Sequence, residues 1–285
     1  MSLHPIVRGM LDLLYPPRCE SCGELRRAPI CDHCRAAIAL LQPPLCELCG
    51  EPFDPQAAAG PRCAVCVMAR RRFSVARSAA YYEGPLVQLI WRYKYHGQVV
   101  LGEPLARLMV AALETTAAAL DPDSVEVVCA VPLHPSRLRE RGFNQSELLA
   151  EHLAAAIGRP LRPLLVRTRP THPQVDLPLR SRAANVRGAF APNPKEAISG
   201  QRVLLIDDLF TTGATIAACA RALHRAGAAE LRVFTLARPL PAWRRPGAEI
   251  RASAAHRSGR SLARPDAHDS ARRDSDGFQC SAIVL

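Results

Sequence analysis

Apolar residues recur at helical spacing near the start of the chain. Leu3, Ile6, Val7, Met10, Leu11 and Leu14 predict a short amphipathic helix over residues 3–14. Pro16-Pro17 ends it, because a proline pushes the residue before it out of the helical region. The period vanishes over residues 18–70, which are rich in proline and too poor in apolar residues to hold a core. It resumes at residue 73. Ser78 to Tyr82 reads as a strand, and 85–95 and 103–113 read as helices. Asp121-Pro122-Asp123 marks a turn, and Val125 to Pro132 is a short apolar run suited to a buried strand. Ser146 to Ile157 reads as a helix, with Ser146 as N-cap and Gly158 just past its end. Leu161 to Val166 reads as a further strand. Residues 167–188 hold five Arg and little apolar periodicity, which predicts a long mobile loop. Then follow a strand over Val203 to Ile206, a turn from Asp207 to Gly213, a helix from Ala214 to Ala226 and a strand over Leu231 to Leu236. Strand, helix and strand in that order predict an α/β protein with a parallel sheet and right-handed crossovers. Residues 241–285 lack apolar clustering until the last few positions, which predicts a disordered tail. The chain therefore divides into 1–17, 18–70, 73–240 and 241–285.

The apolar segments also limit where the protein works. None approaches 18 residues, and the N-terminus lacks the features of a signal peptide, so a cytoplasmic location is expected. Thiols stay reduced there and are available to metals. Of the 11 Cys, eight form four CxxC pairs: Cys19/Cys22, Cys31/Cys34, Cys46/Cys49 and Cys63/Cys66. Eight thiolates make two closed tetrahedral sites, so two structural zinc ions are expected to hold residues 18–70 folded. Sequential pairing is preferred and an interleaved arrangement remains open; free thiols or an iron–sulfur cluster are the competing readings. Gly23 and Gly50 follow two of the pairs and free the backbone to aim N–H groups at sulfur. Cys129 and Cys219 fall in a strand and a helix as small core residues. The formal net charge is +11. It favours anionic partners, although a genome that writes Arg for Lys would produce the same surplus. The segment 241–285 has eight Arg against five acidic residues, so most of the surplus lies before it.

The segment VLLIDDLFTTGAT, residues 203–215, holds the most chemistry. A buried strand delivers Asp207 and Asp208 to the carboxyl edge of the sheet, where open α/β sheets bind ligands. The helix that starts soon after offers unpaired N–H groups to a phosphate. Gly213 permits close approach, and the hydroxyls of Thr211, Thr212 and Thr215 add donors. The seat is expected at the surface, where a valine at position 213 blocks phosphate without unfolding the domain. Carboxylates beside a phosphate fit a ligand with a ribose diol and a metal-bound diphosphate. Phosphoribosyl diphosphate (PRPP) with Mg²⁺ is such a ligand. The segment resembles the PRPP signature of type I phosphoribosyltransferases. That resemblance implies Asp207 and Asp208 as catalytic residues and Thr211, Thr212, Gly213, Ala214 and Thr215 as the phosphate-binding loop. It also implies a parallel-sheet type I phosphoribosyltransferase-like domain, here preceded by the cysteine-rich segment that the four CxxC pairs mark as a small double zinc-ribbon module.

A second basic segment, VPLHPSRLRERGFNQ at 131–145, follows the other buried strand. Arg137, Arg139 and Arg141, then Asn144 and Gln145 before a helix, suit a diphosphate loop. The competing reading is a solvated basic loop. His134 is expected to pack in the turn, with contact to substrate as the competing reading, and Trp91 and Tyr95 are expected in the core rather than as stacking platforms. Together with the CxxC pairs, YKYHG at 93–97, Thr171 to Gln174, Arg182, Asn185-Val186, Gly188 and Phe190, this segment resembles the ComF family over about residues 10–240. The resemblance implies a PRPP-binding phosphoribosyltransferase-like protein linked to natural competence and uptake of single-stranded DNA. A related branch is linked to gluconate utilisation. Two readings follow: an Mg²⁺-dependent transfer of phosphoribose to an acceptor, or a non-catalytic PRPP-binding module that contacts single-stranded DNA or a partner in the competence machinery.

Overall fold

The computed structural model describes residues 16–56, 60–69, 71–171 and 179–244. The helix expected over 3–14, the tail beyond residue 244, and residues 172–178 of the expected loop lie outside them.

Four parallel strands form the central sheet in the order β1-β6-β5-β2: β1 Val75–Tyr81, β2 Val127–Ala130, β5 Arg202–Leu209 and β6 Glu230–Arg238. A short antiparallel pair, β3 Leu165–Arg167 and β4 Phe190–Pro192, stands apart. Both sheet faces are covered, which is why the strands read as apolar runs rather than alternating ones. Leu204, Ile206, Phe234 and Leu236 belong to a core shared with three helices: α3 Pro85–Tyr95, α4 Gly102–Leu120 and α6 Gln145–Ala156. Val203, Leu205, Leu231 and Val233 belong to a second core with α8 Ala214–Arg225 and the β3-β4 pair. Cys129 and Cys219 are fully buried there, as small core residues.

The sequence boundaries shift where tertiary contacts decide them. Helix α4 runs on to Leu120, where Asp121 adopts φ 41 and stops it. Asp207 and Asp208 lie inside β5 rather than in a turn, because β6 pairs with the strand up to Leu209. Asn144, not Ser146, caps α6; its side chain accepts from the Ser146 amide at 3.2 Å. The expected 167–188 loop contains a helix, α7 Leu179–Asn185, and Arg169 donates to the carbonyls of Asn185 and Arg187 nearby. Arginines thus stitch a segment whose apolar pattern is silent.

The cysteine-rich segment packs on the sheet beside β1. Its short helices are α1 Asp32–Ala36 and α2 Ala64–Met68, and α5 Pro135–Arg141 follows β2 later in the chain. Leu41 donates to Ala79, Tyr81 to Ala39, and Ala76 to Leu48, so the outer edge of β1 is paired. An edge strand left open would template wrong pairing, and this segment closes it. Two buried arginines reinforce the seam. Arg77 donates to the carbonyls of Cys46 and Glu47, and Arg238 donates to that of Cys49 at 2.8 Å and pairs with Glu51. Gly50 (φ 67) lets the backbones meet: a Cβ there would lie 2.8 Å from the Ala76 carbonyl oxygen. Residues 242–244 form a helical turn whose Trp243 indole donates to Pro52 and whose Arg244 pairs with Glu83, so the ordered fold extends past residue 241.

Gly50 and Gly23 separate backbone strain from crowding. Both have positive φ, but a Cβ at Gly23 meets nothing within 4 Å. Gly23→Ala is expected to cost about 1 kcal/mol, and Gly50→Ala about 2 kcal/mol or more, since it must also part the module from the sheet. Chemical denaturation of the zinc-loaded protein checks the order of the two.

Candidate functional site

The parallel arrangement brings the carboxyl ends of β1, β2, β5 and β6 to one edge. Helix α3 starts just after β1, and its last turn meets the end of β5. It is about 16 Å long, enough to cross the two strand spacings between them. Lys94, in that last turn, places its Nζ 2.6 Å from Asp208 Oδ2. Both side chains are largely buried, at 14% and 6% exposure. Ser146 donates its hydroxyl to Asp207 Oδ1 at 3.0 Å, and the Asp208 amide donates to the same oxygen at 2.9 Å. The Tyr93 hydroxyl donates to the Gln145 carbonyl at 3.0 Å, which ties α3 to the start of α6. The contacts close a ring: Tyr93, Gln145-Ser146, Asp207-Asp208, Lys94 and back to Tyr93.

Burial, and then the neighbouring Asp208 charge, push the Asp207 carboxyl up to about 7, against the pull of Lys94, the Asp208 amide and Ser146. Burial alone would lower Lys94; the Asp208 carboxylate outweighs it and holds the ammonium above its ordinary range. Sequence pattern alone assigns neither Lys94 nor Ser146 to this site. A signal for Lys94 exists: Leu86, Ile90 and Lys94 follow one another at four-residue spacing on the buried face of α3. A lone charge on an apolar stripe needs a partner. Ser146 has no such signal, because its partner lies 61 residues away.

Beyond β5 the chain bends into α8. The Phe210 amide donates to Ala237, and its buried ring packs edge-on to Phe73 and beneath the Arg238 guanidinium. Gly213 (φ 75) caps α8, and Thr212 Oγ1 accepts from the Ala214 amide at 3.3 Å. Thr211, Thr212, Ala214 and Thr215 are half-buried around it. Gly213 itself is buried, and a Cβ there would meet Phe210 Cζ at 3.0 Å. A valine at 213 would therefore strain the loop's own support, which corrects the expectation of a clean surface block.

The basic segment divides into two parts. Arg137 and Arg141 line a cleft of about 150 Å³ together with Lys94, Tyr95, Gly97 and Glu140. Asn144 and Gln145 are buried and committed elsewhere: the Asn144 amide group donates to the Val131 carbonyl, and Gln145 Oε1 accepts from Arg141. They hold the loop in shape and orient Arg141. Arg139 is exposed. His134 Nδ1 lies 3.3 Å from the Ser136 amide and caps α5. Trp91 and Tyr95 depart from expectation: they are 46% and 49% exposed. They fall off the 86/89/90/93 stripe of α3, so Trp91 packs on His96 and Tyr95 lies under Arg141.

The eight paired cysteines form two clusters in sequential order. Cys19, Cys22, Cys31 and Cys34 converge in one, Cys46, Cys49, Cys63 and Cys66 in the other, with the sulfur atoms of each all within 4.8 Å. None is in a disulfide. Backbone amides aim at sulfur: Cys31 N at Cys19, Cys34 N at Cys31 and Cys63 N at Cys46, each at 3.4 Å. Burial would push the Cys19 thiol up, but the amides of Cys31, Cys22 and Ser21 outweigh it and bring it to about 6. The Gly23 and Gly50 amides donate instead to the Cys19 and Cys46 carbonyls, closing each turn. Four sulfurs gathered in each cluster fit two structural zinc ions.

Residues 10–67 match the family model described as a double zinc ribbon domain, and residues 144–256 match that of a phosphoribosyl transferase domain. Competence protein F of Haemophilus influenzae is 30% identical over 234 residues, covering 81% of this chain and 94% of that protein. The DNA utilization protein YhgH of Escherichia coli K12 is 33% identical over 183 residues, covering 62% and 78%. Competence protein ComFC of Bacillus subtilis is 29% identical over 163 residues, covering 57% and 63%. The parallel α/β domain thus has a phosphoribosyltransferase-like fold, and the cysteine clusters fit a double zinc ribbon. Among the described residues no helix is long and apolar enough to cross a membrane.

Metal analysis of protein purified without chelator is expected to find two zinc ions per chain, and one in Cys49→Ser/Cys63→Ser, which dismantles a single shell. The acid pair yields a pH test. Asp207 titrates near 7 when folded, above the ordinary carboxyl value. Folding therefore favours its protonated form. The stability this contributes is complete below about pH 4 and is lost as pH rises through about 7. Asp207→Asn cannot ionise and escapes that loss. Relative to the parent, its melting temperature is expected to be higher by a few degrees at pH 8 and not at pH 4.

Proposed function

The chain belongs to the family of competence protein F, and from that premise we propose that its α/β domain binds PRPP with Mg²⁺ in the manner of a phosphoribosyltransferase. One observation carries the reading: two buried carboxylates end a central strand, and a glycine-capped helix begins a few residues later. In this reading the start of α8, with Thr211, Thr212, Gly213, Ala214 and Thr215, seats the 5′-phosphate. Asp207 and Asp208 accept hydrogen bonds from the ribose hydroxyls and orient the anomeric carbon. Arg137 and Arg141, on the cleft beside Lys94, receive the diphosphate. Mg²⁺ bound with the diphosphate supplies neutralisation of the leaving charge. The zinc ions are structural, since closed four-sulfur shells leave no position for substrate. Reduced, ligand-ready thiols support action in the cytoplasm.

A second reading is a PRPP-responsive module that contacts single-stranded DNA or a partner in DNA uptake. Exposed Trp91, and exposed Tyr95 under Arg141, favour it, because exposed aromatic rings and nearby cations are suited to unpaired bases. The names of the relatives, competence protein and DNA utilization protein, point the same way. Diphosphate release on incubation with PRPP and candidate acceptors separates transfer from binding alone.

The site assignment is tested by calorimetry with Mg²⁺ and PRPP. The parent is expected to bind and Asp207→Asn/Asp208→Asn to lose at least about tenfold in affinity. Unchanged affinity in the double variant would remove the acid pair from the site.

A further inference from the structure

Of the 37 Lys and Arg in the chain, only Lys94 and Lys195 are lysines. Lys195 is exposed, whereas Lys94 is largely buried against Asp208. A sequence that writes arginine at nearly every cationic position keeps an ammonium here. The two cations differ physically. A guanidinium spreads its donors in one plane, while an ammonium presents three donors from a single atom and serves acceptors in different directions. Lys94 has such a double position: its Nζ lies 2.6 Å from Asp208 Oδ2, and the residue also lines the cleft that holds Arg137 and Arg141.

We propose that Lys94 is a shared cation of the site: it occupies Asp208 in the ligand-free protein, keeps free divalent metal off the acid pair, and turns to the diphosphate when the ligand takes Asp208. The proposal rests on the PRPP reading above for its ligand, but its first half does not. A divalent ion coordinated by Asp208 Oδ2 would stand at most about 5 Å from the Lys94 nitrogen. Two cations that close, in a site largely shut from water, repel strongly. Metal can then enter only with an anion that offsets the ammonium, and a diphosphate in the Arg137/Arg141 cleft is such an anion. Lys94 thereby couples metal entry to ligand entry, and an empty site does not trap metal.

Mn²⁺ serves as the probe, read by water-proton relaxation on the zinc-loaded full chain. The parent is expected to bind no Mn²⁺ at the acid pair. Lys94→Gln and Lys94→Met, two neutral variants of which either suffices if the other misfolds, are expected to gain one Mn²⁺ per chain. Adding Asp208→Asn should abolish that gain. Affinity for Mg²⁺ with PRPP should fall about tenfold or more in both neutral variants, the loss of one charge-assisted contact. Melting curves and zinc content identify the folded variants. If Asp207→Asn/Asp208→Asn binds PRPP like the parent, the PRPP reading fails, while the Mn²⁺ result still decides the first half. If that double variant loses PRPP but the folded Lys94 variants keep it, Lys94 does not turn to the ligand. Tight Mn²⁺ binding by the parent, or no gain in folded Lys94 variants, overturns the proposal.

Discussion

Two adjacent carboxylates at the end of a buried strand are the constraint around which the site is arranged. Left uncompensated, such a pair is among the costlier things a fold can contain. The compensation comes from three directions. Lys94 reaches Asp208 from α3, Ser146 reaches Asp207 from α6, and the strand's own amide at Asp208 folds back on Asp207. Tyr93 then binds α3 to α6 through the Gln145 carbonyl. Each contact fixes the position of the next, so the two helices and the strand end form one rigid frame. The price is a carboxyl at Asp207 that resists ionising near neutrality. Such a carboxyl is suited to groups that bring hydroxyl donors or positive charge.

The cysteine-rich module supports the sheet at its β1 edge. Residues 39–41 and Leu48 pair with the outer edge of β1, so a strand with every residue buried sits at the margin of the sheet without being exposed. Each cysteine cluster joins a different core, the first on the side of α3, α4 and α6 and the second on the side of α8. Arg238 links the second cluster to the loop that leads into α8. It donates to the Cys49 carbonyl, pairs with Glu51 and covers the Phe210 ring, and Phe210 in turn backs Gly213. The fold of the ribbon therefore sets the surroundings of that loop.

The basic surplus also gains a location. Arg137 and Arg141 stand on a cleft at the carboxyl edge, Arg141 oriented by Gln145 and resting on Tyr95. Arg167, half-buried, bonds Thr171, lies over the Phe190 ring and feels the Asp207 charge. Burial holds the Arg141 and Arg167 guanidinium groups below their ordinary value, against the pull of Asp208 on Arg141 and of Cys219 and Asp207 on Arg167. Cations of both shapes and two acids share one small volume. That mixture suits a ligand carrying both anionic groups and hydroxyls.

By itself the sequence determined the parts that local chemistry dictates. Helix α3 was legible to the residue because its stripe at 86, 89, 90 and 93 is helical in period and Gly84-Pro85 opens it. The four CxxC pairs specified two metal shells, since two thiolates three residues apart already face one point. The run VLLIDD and the glycine before α8 specified a strand, a loop and a helix start. Other features needed three-dimensional proximity. Sequential pairing of the cysteines became definite only when the four sulfurs of each cluster were seen within 4.8 Å. Asp207 and Asp208 belong to the strand because β6 extends alongside it to Leu209, a partner 28 residues further on. The helix at 179–185 has no apolar period to announce it. Trp91 and Tyr95 are exposed because which side of α3 meets the sheet is settled by the stripe as a whole and not by the size of one side chain. Lys94 and Ser146 meet the acid pair across 114 and 61 residues of chain. Periodicity and spacing record only what a residue does with its near neighbours, whereas compensation of a buried charge is chosen from whatever the fold brings within about 3 Å.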